Sequence, residues 1–158
     1  MPQSRIEEIL RGDSIRSMGI EPVPSVSGST ALRDVIAVMQ KRKVAAVVIT
    51  DAGRVEGIFT ERDLLNRIVG LALSSDIPIR DVMTRNPRTL SPNDRIADAI
   101  RLMTEQGYRH IPLVDPAGGE AGMISARDIV EFIAEHYPQE IFNLPPEPSR
   151  VPHRPEGG

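Results

Sequence analysis

The chain has 158 residues, a net charge of -3, 40% apolar residues, 3% aromatic residues and neither Trp nor Cys. That length buries one ordinary core, or one core shared by two half-domains. The acidic balance and scarce aromatics exclude a phosphate-backbone clamp and a base-stacking platform, and the lack of cysteine excludes disulfides, zinc thiolates and a thiol nucleophile.

The N-terminal stretch Met1 to Leu10 is charged and lacks an apolar signal core. No apolar run approaches the ~18–20 residues that span a bilayer, so a cytoplasmic location is expected. Ile6, Ile9 and Leu10 share a face of a short helix ended by Gly12 and Asp13, within a lead-in over residues 1–17 that packs on something larger. From Ile15 to Val26, Pro22 and Pro24 disfavour helix and predict extended chain. Leu32, Val35, Ile36 and Met39 then recur at helical spacing, with Ser27 or Ser29 placed to cap the start. Val44 to Ile49 is a continuous, β-branched run of the kind found in strands buried on both faces. Asp51 to Arg54 is turn chemistry, and Val55 to Phe59 returns as the second strand of a hairpin. Thr60 opens a helix through about Leu73, with Leu64, Leu65, Ile68 and Val69 as its buried face.

The pattern then repeats. Gly57 to Leu65 recurs as Gly122 to Val130, with Asp63 and Asp128 separated by 65 positions. Arg95 to Gln106 repeats the first helix, pairing Asp34 with Asp98, Ile36 with Ile100 and Met39 with Met103. Ser91-Pro92-Asn93-Asp94 supplies a cap, a proline and an acid at its start. Ile111 to Val114 matches Val47 to Thr50, and Pro112 predicts an irregular or edge strand there. The turn Asp115 to Gly119 is one residue longer than its counterpart, which moves the offset from 64 to 65. Arg127 to His136 is the closing helix. The expected fold is α/β, with two strand–helix–strand–strand–helix repeats over 18–73 and 79–142. A linker over 74–78 joins them, and their sheets pack about a pseudo-two-fold axis. Residues 143–158 are Pro-rich and read as a solvated tail. Met18, Met39, Met83 and Met103 recur with the repeats and read as core filler.

Thr60 and Ser125 stand where a strand becomes a helix, where free amides and the helix dipole favour anions. Asp63 and Asp128 fall in the first turn that follows, and a carboxylate there accepts the two hydroxyls of a ribose. The same hydroxyl-x-x-aspartate spacing fits a capping box that binds nothing. Arg62 and Arg127 precede the aspartates and either meet phosphates or line a solvated helix face. His136 and His153 have no partners at metal-ligand spacing, so no metal site is assigned. No hydroxyl–His–acid set or cluster of Mg²⁺-binding acids is evident, so the chain does not read as an enzyme.

Asp81-Val82-Met83-Thr84 with Pro87, Arg109 to Asp115, Gly122 to Asp128, Val48 to Asp51 and Gly57 to Asp63 together resemble the tandem CBS-domain pair, or Bateman module, over about Met18 to Glu140. The resemblance implies an adenosine-type ligand (AMP, ADP, ATP or S-adenosylmethionine) in clefts between the halves, with the aspartates on the ribose. It adds Thr84, Arg109, His110, Ile111 and Pro112 to the ligand-binding positions, with basic residues at 109 and 110 directed to phosphates. A surface arginine and a hydrogen-bonded core-edge histidine fit the same two residues. Ala45 and Ala46 stand at the matching first-half places, so two unequal clefts are expected. The resemblance further implies a regulatory module, a homodimer and an unidentified protein partner, without nucleic acid or membrane. The alternative is a CBS scaffold that binds no ligand and serves dimerisation or docking.

Overall fold

The computed structural model describes residues 5–20, 22–68 and 73–137. The elements run α1 (Arg5–Gly12), a 3-10 turn (Ile15–Met18), β1 (Ser25–Ser27), α2 (Leu32–Arg42), β2 (Ala46–Asp51), β3 (Arg54–Thr60), α3 (Glu61–Asp63), a π turn (Leu64–Ile68) and a second 3-10 turn (Ile79–Asp81). They continue with β4 (Thr84–Arg85), α4 (Ile96–Gln106), β5 (His110–Val114), β6 (Glu120–Ser125) and α5 (Ala126–His136). One sheet has the order β1-β2-β3-β4, parallel between β1 and β2 and antiparallel thereafter; β5 and β6 form a second, antiparallel pair. Leu90 bridges Leu113 in parallel, a vestige in the second half of the β1–β2 pairing.

The β2–β3 hairpin closes between Asp51 and Arg54. Ala52 at φ 50° and Gly53 at φ 79° give the two positive-φ residues that a tight hairpin turn needs to match strand twist. Val47, Ile49 and Phe59 point to α2 in the first core, while Ala46, Val48 and Ile58 meet Met123 of the second half. The continuous apolar run of β2 is therefore buried on both faces, by a helix on one side and by the other half on the other. Ile96, Ala99, Ile111, Leu113, Ile124, Ile129 and Phe132 form the second half's core. Pro112 lies at a register shift in β5, as its missing amide predicts.

The two halves exchange their lead-ins. Ile15, fully buried, packs in the second half's core, and Ile79, equally buried, packs in the first half's. Ser14 bridges Arg95 and Pro78 bridges Ala31, two contacts related by the repeat offset. This exchange caps the helices. The amides of Leu32 and Arg33 donate to the carbonyls of Ile77 (2.9 Å) and Ser75 (3.0 Å), and the amide of Ile96 donates to Asp13 (3.0 Å). Backbone carbonyls thus take first-turn amides that have no partner within their own helix.

That arrangement corrects several expectations. Ser27 and Ser29 do not cap α2; their hydroxyls bond each other at 3.0 Å, and Ala31 holds the cap position. Ser91 to Asp94 forms a turn, closed by Ser91 N on Asp94 Oδ2 at 2.7 Å, and α4 starts only at Ile96. Ile15 to Met18 is a 3-10 turn within the stretch expected to be extended. After Thr60 the chain makes one α turn and then the π turn. Leu65, expected in the buried face, is 64% exposed. Residues 69–72 and the Pro-rich tail 143–158 lie outside the described residues. Met39 and Met83 are buried, as filler should be, whereas Met18 is half-buried and lines a cleft.

Candidate functional site

A cleft of about 670 Å³ opens between the halves, within the range of small-molecule sites. Five segments wall it: Ile15, Met18 to Ile20, Pro22 and Val23 of the lead-in, the α2–β2 joint from Lys43 to Ala46, Arg109 and His110 at the start of β5, the β6–α5 junction from Met123 to Asp128, and the α5 face carrying Glu131, Phe132, Glu135 and His136. Ser125 and Asp128 sit together at its helix end. Asp128 N donates to Ser125 Oγ (3.1 Å) and Ser125 N donates to Asp128 Oδ2 (2.8 Å), a complete capping box. The Asp128 carboxylate is exposed and accepts no other hydrogen bond among the described residues. Capping therefore uses one carboxylate oxygen and leaves acceptor capacity toward the cleft. The N-terminus of the 11-residue α5 adds a positive field there.

Three cationic side chains, Lys43, Arg109 and Arg127, line the same cleft, as do the acids Glu131 and Glu135. Arg109 is exposed, and neither it nor Lys43 has an ion pair among the described residues, whereas Arg127 Nε pairs with Glu131 Oε1 at 3.1 Å. Lys43 ends α2 in the left-handed conformation at φ 53°. Its repeat counterpart, Gly107, adopts φ 75° without a side chain. A lysine there carries the steric penalty that glycine avoids, and places its side chain on the cleft wall. His110 is half-buried; burial pushes its pKa below the usual 6.5, against the opposing pull of Asp128. It is thus a neutral imidazole at neutral pH, able to donate or accept. Met18, Ile20, Val44 and Phe132 give the cleft an apolar lining.

The Asp63 half has the same box with different company. Thr60 N and Thr60 Oγ1 donate to Asp63 Oδ2 at 3.0 and 3.1 Å, and Asp63 N donates to Thr60 Oγ1 at 3.1 Å. Thr84 Oγ1 donates to Asp63 Oδ1 at 3.3 Å, and Arg67 Nε lies 3.7 Å from the same oxygen. Arg67 Nη1 also donates to the carbonyls of Val82 (3.2 Å) and Met83 (2.9 Å).

Of the residues singled out from sequence, Ser125, Asp128, Arg109, His110 and Arg127 share the cleft. Thr60, Asp63 and Thr84 cluster together in the other half. Arg62 is exposed, and Ile111 and Pro112 are buried within β5, away from the cleft lining. Ala45 and Ala46, expected to mark a separate and uncharged cleft, stand in the same cleft as Arg109 and His110. The symmetry axis brings the starts of β2 and β5 to one opening, where Lys43 supplies the charge that the alanines lack. Sequence reasoning missed Lys43, Ile20, Phe132, Glu131 and Glu135. A lysine aligned with the C-cap glycine of the other repeat was the available signal for the first of these. Among the described residues no helix is long and apolar enough to cross a membrane.

The family model of the CBS domain matches residues 15–70 and 79–135. A CBS domain-containing protein of Arabidopsis thaliana, CBSX3, mitochondrial, is 29% identical over 157 residues, which cover 91% of this chain and 74% of that one. Among solved structures, a CBS-domain containing protein from Agrobacterium tumefaciens is 30% identical with a TM-score of 0.67, over 75% of this chain and 98% of that one. A CBS domain protein from Pyrobaculum aerophilum, complexed with AMP, is 24% identical with a TM-score of 0.69, over 77% of this chain and 99% of that one.

Proposed function

The chain belongs to the CBS-domain family, as a tandem pair, and from that premise we propose that it is a regulatory module that binds an adenosine-type ligand in the Asp128 cleft and signals occupancy to a protein partner. AMP, ADP, ATP and S-adenosylmethionine are the candidate ligands, and AMP in the Pyrobaculum protein supports the class. The observation that carries the reading is the exposed Asp128 carboxylate, held by its cap on one oxygen, inside a cleft with two cations, Lys43 and Arg109, that have no ion pair among the described residues. A ribose diol donates two hydrogen bonds and suits the carboxylate. Phosphates suit the cations, and the apolar wall of Ile20, Val44 and Phe132 suits a base.

One surface feature favours the scaffold reading as the alternative. Leu65 and Val130, 65 positions apart and so equivalent in the repeat, are each 64% exposed. Two matched apolar side chains, one on the π turn and one on α5, favour a homodimer interface. A sensor also dimerises, so ligand binding decides between the two.

The test is thermal shift and calorimetry with AMP, ATP and S-adenosylmethionine. At about 100 times the dissociation constant, a ligand stabilises the fold by ~2.7 kcal/mol, on the order of 5–11 °C for a chain of this size. Asp128→Ala is expected to remove most of the shift while costing the free protein only a capping increment of ~1 kcal/mol. No shift with any of the three ligands would leave the scaffold.

A further inference from the structure

We propose that Arg67 occupies the Asp63 half as an internal ligand, so that each chain takes up a single adenosine-type molecule, at Asp128. This rests on the reading of the Asp128 cleft given above. The repeat makes the comparison residue by residue: Arg67 corresponds to Phe132 at an offset of 65, and Val82, Met83 and Thr84 correspond to Met18, Gly19 and Ile20 at an offset of 64. In the second half these counterparts are all lining residues of the open cleft, and none of their side chains donates a hydrogen bond to Asp128.

In the first half the same places are chemically complementary to one another. The Arg67 guanidinium lies 3.7 Å from Asp63 Oδ1 and donates to the carbonyls of Val82 and Met83, while Thr84 donates to Asp63 Oδ1. With the Thr60 amide and hydroxyl on Oδ2 and the Thr84 hydroxyl on Oδ1, both carboxylate oxygens already accept hydrogen bonds. Asp63 is also withdrawn from solvent, its side chain 16% exposed. A ribose at Asp63 would have to displace a charge-assisted contact and strand the two carbonyls that Arg67 satisfies. Arg67 therefore presents to the Asp63 half a charged donor where a ribose would bring neutral hydroxyls, and the covalent tether makes that contact intramolecular.

Calorimetric titration with AMP tests this. The wild type is expected to bind one AMP per chain, and Asp128→Ala to abolish that event. Arg67→Ala is expected to bind two, the second event disappearing when Asp63→Asn is added. Arg67→Met, which keeps the aliphatic stem, is the parallel variant should Arg67→Ala lose its cooperative melt. Two sites in the wild type would overturn the proposal, as would a folded Arg67 variant that still binds one. Should the wild type bind no AMP, the functional reading falls. A site gained by Arg67→Ala would then still support the plug, and none gained would overturn it too.

Discussion

Lys43 and Gly107 end equivalent helices with the same left-handed backbone, and only the glycine adopts it without strain. Lys43→Gly is expected to raise stability by roughly 0.5–1 kcal/mol, the steric relief exceeding the added chain entropy of glycine. It should also weaken phosphorylated ligands while sparing adenosine, since the cleft loses one of the two cations, Lys43 and Arg109, that have no ion pair among the described residues. Differential melting and calorimetry on one preparation check both signs; a less stable variant, or equal loss of adenosine and AMP, would show that the lysine has no phosphate role. Single residues were unevenly legible in the sequence. Ser125 and Asp128 stood out because the repeat fixed their register twice. Lys43 did not, because a C-cap residue carries no hydrophobic period and its charge resembles that of any solvated helix end. Asp63 and Arg67 stand four apart, a spacing readable from the chain, but the approach of Thr84 and of the Val82 and Met83 carbonyls was hidden because it is set by tertiary packing.

At the scale of elements, β2, α4, β5 and α5 were readable from periodicity, since each has one or two buried faces and clear turn chemistry at its ends. The capping boxes at Thr60 and Ser125 were read correctly, and what failed was the assignment of caps to α2 and α4. Serine is a good N-cap, but carbonyls delivered by another segment also satisfy free first-turn amides, and at Leu32, Arg33 and Ile96 that is what occurs. The cause is the reciprocal exchange of the Ile15 and Ile79 turns, which local pattern does not encode. Those two isoleucines thus hold together halves to which they do not belong in sequence. Ile15→Ala and Ile79→Ala are each expected to lower stability by about 2–5 kcal/mol, as for a large core truncation. Ile15→Ala should loosen the second half first, and Ile79→Ala the first half. Hydrogen exchange resolved by segment reads this directly; the loss of protection falling in the half nearest in sequence would contradict the exchange.

For the whole molecule, the duplicated string and matched helices made the α/β pair legible before any coordinates, because a repeat constrains both halves at once. The orientation that brings Ala45 and Arg109 to one cleft was not legible, since a symmetry axis is a property of packing. The assembly expected from this surface is a homodimer built on Leu65 and Val130. Leu65→Asp with Val130→Asp should yield a folded monomer by light scattering, exposed sites being tolerant of such changes. A wild type already monomeric at tens of micromolar would refute the interface. The exchanged turns also bear on how such a chain arises. A single ancestral repeat would own a buried isoleucine turn with no slot of its own, and a slot with no turn to fill it. Two such copies complete each other only by trading arms, which is a swapped dimer. Gene fusion then needs to add nothing to the packing: the short connection through Pro78 turns an association dependent on concentration into a fold that survives dilution.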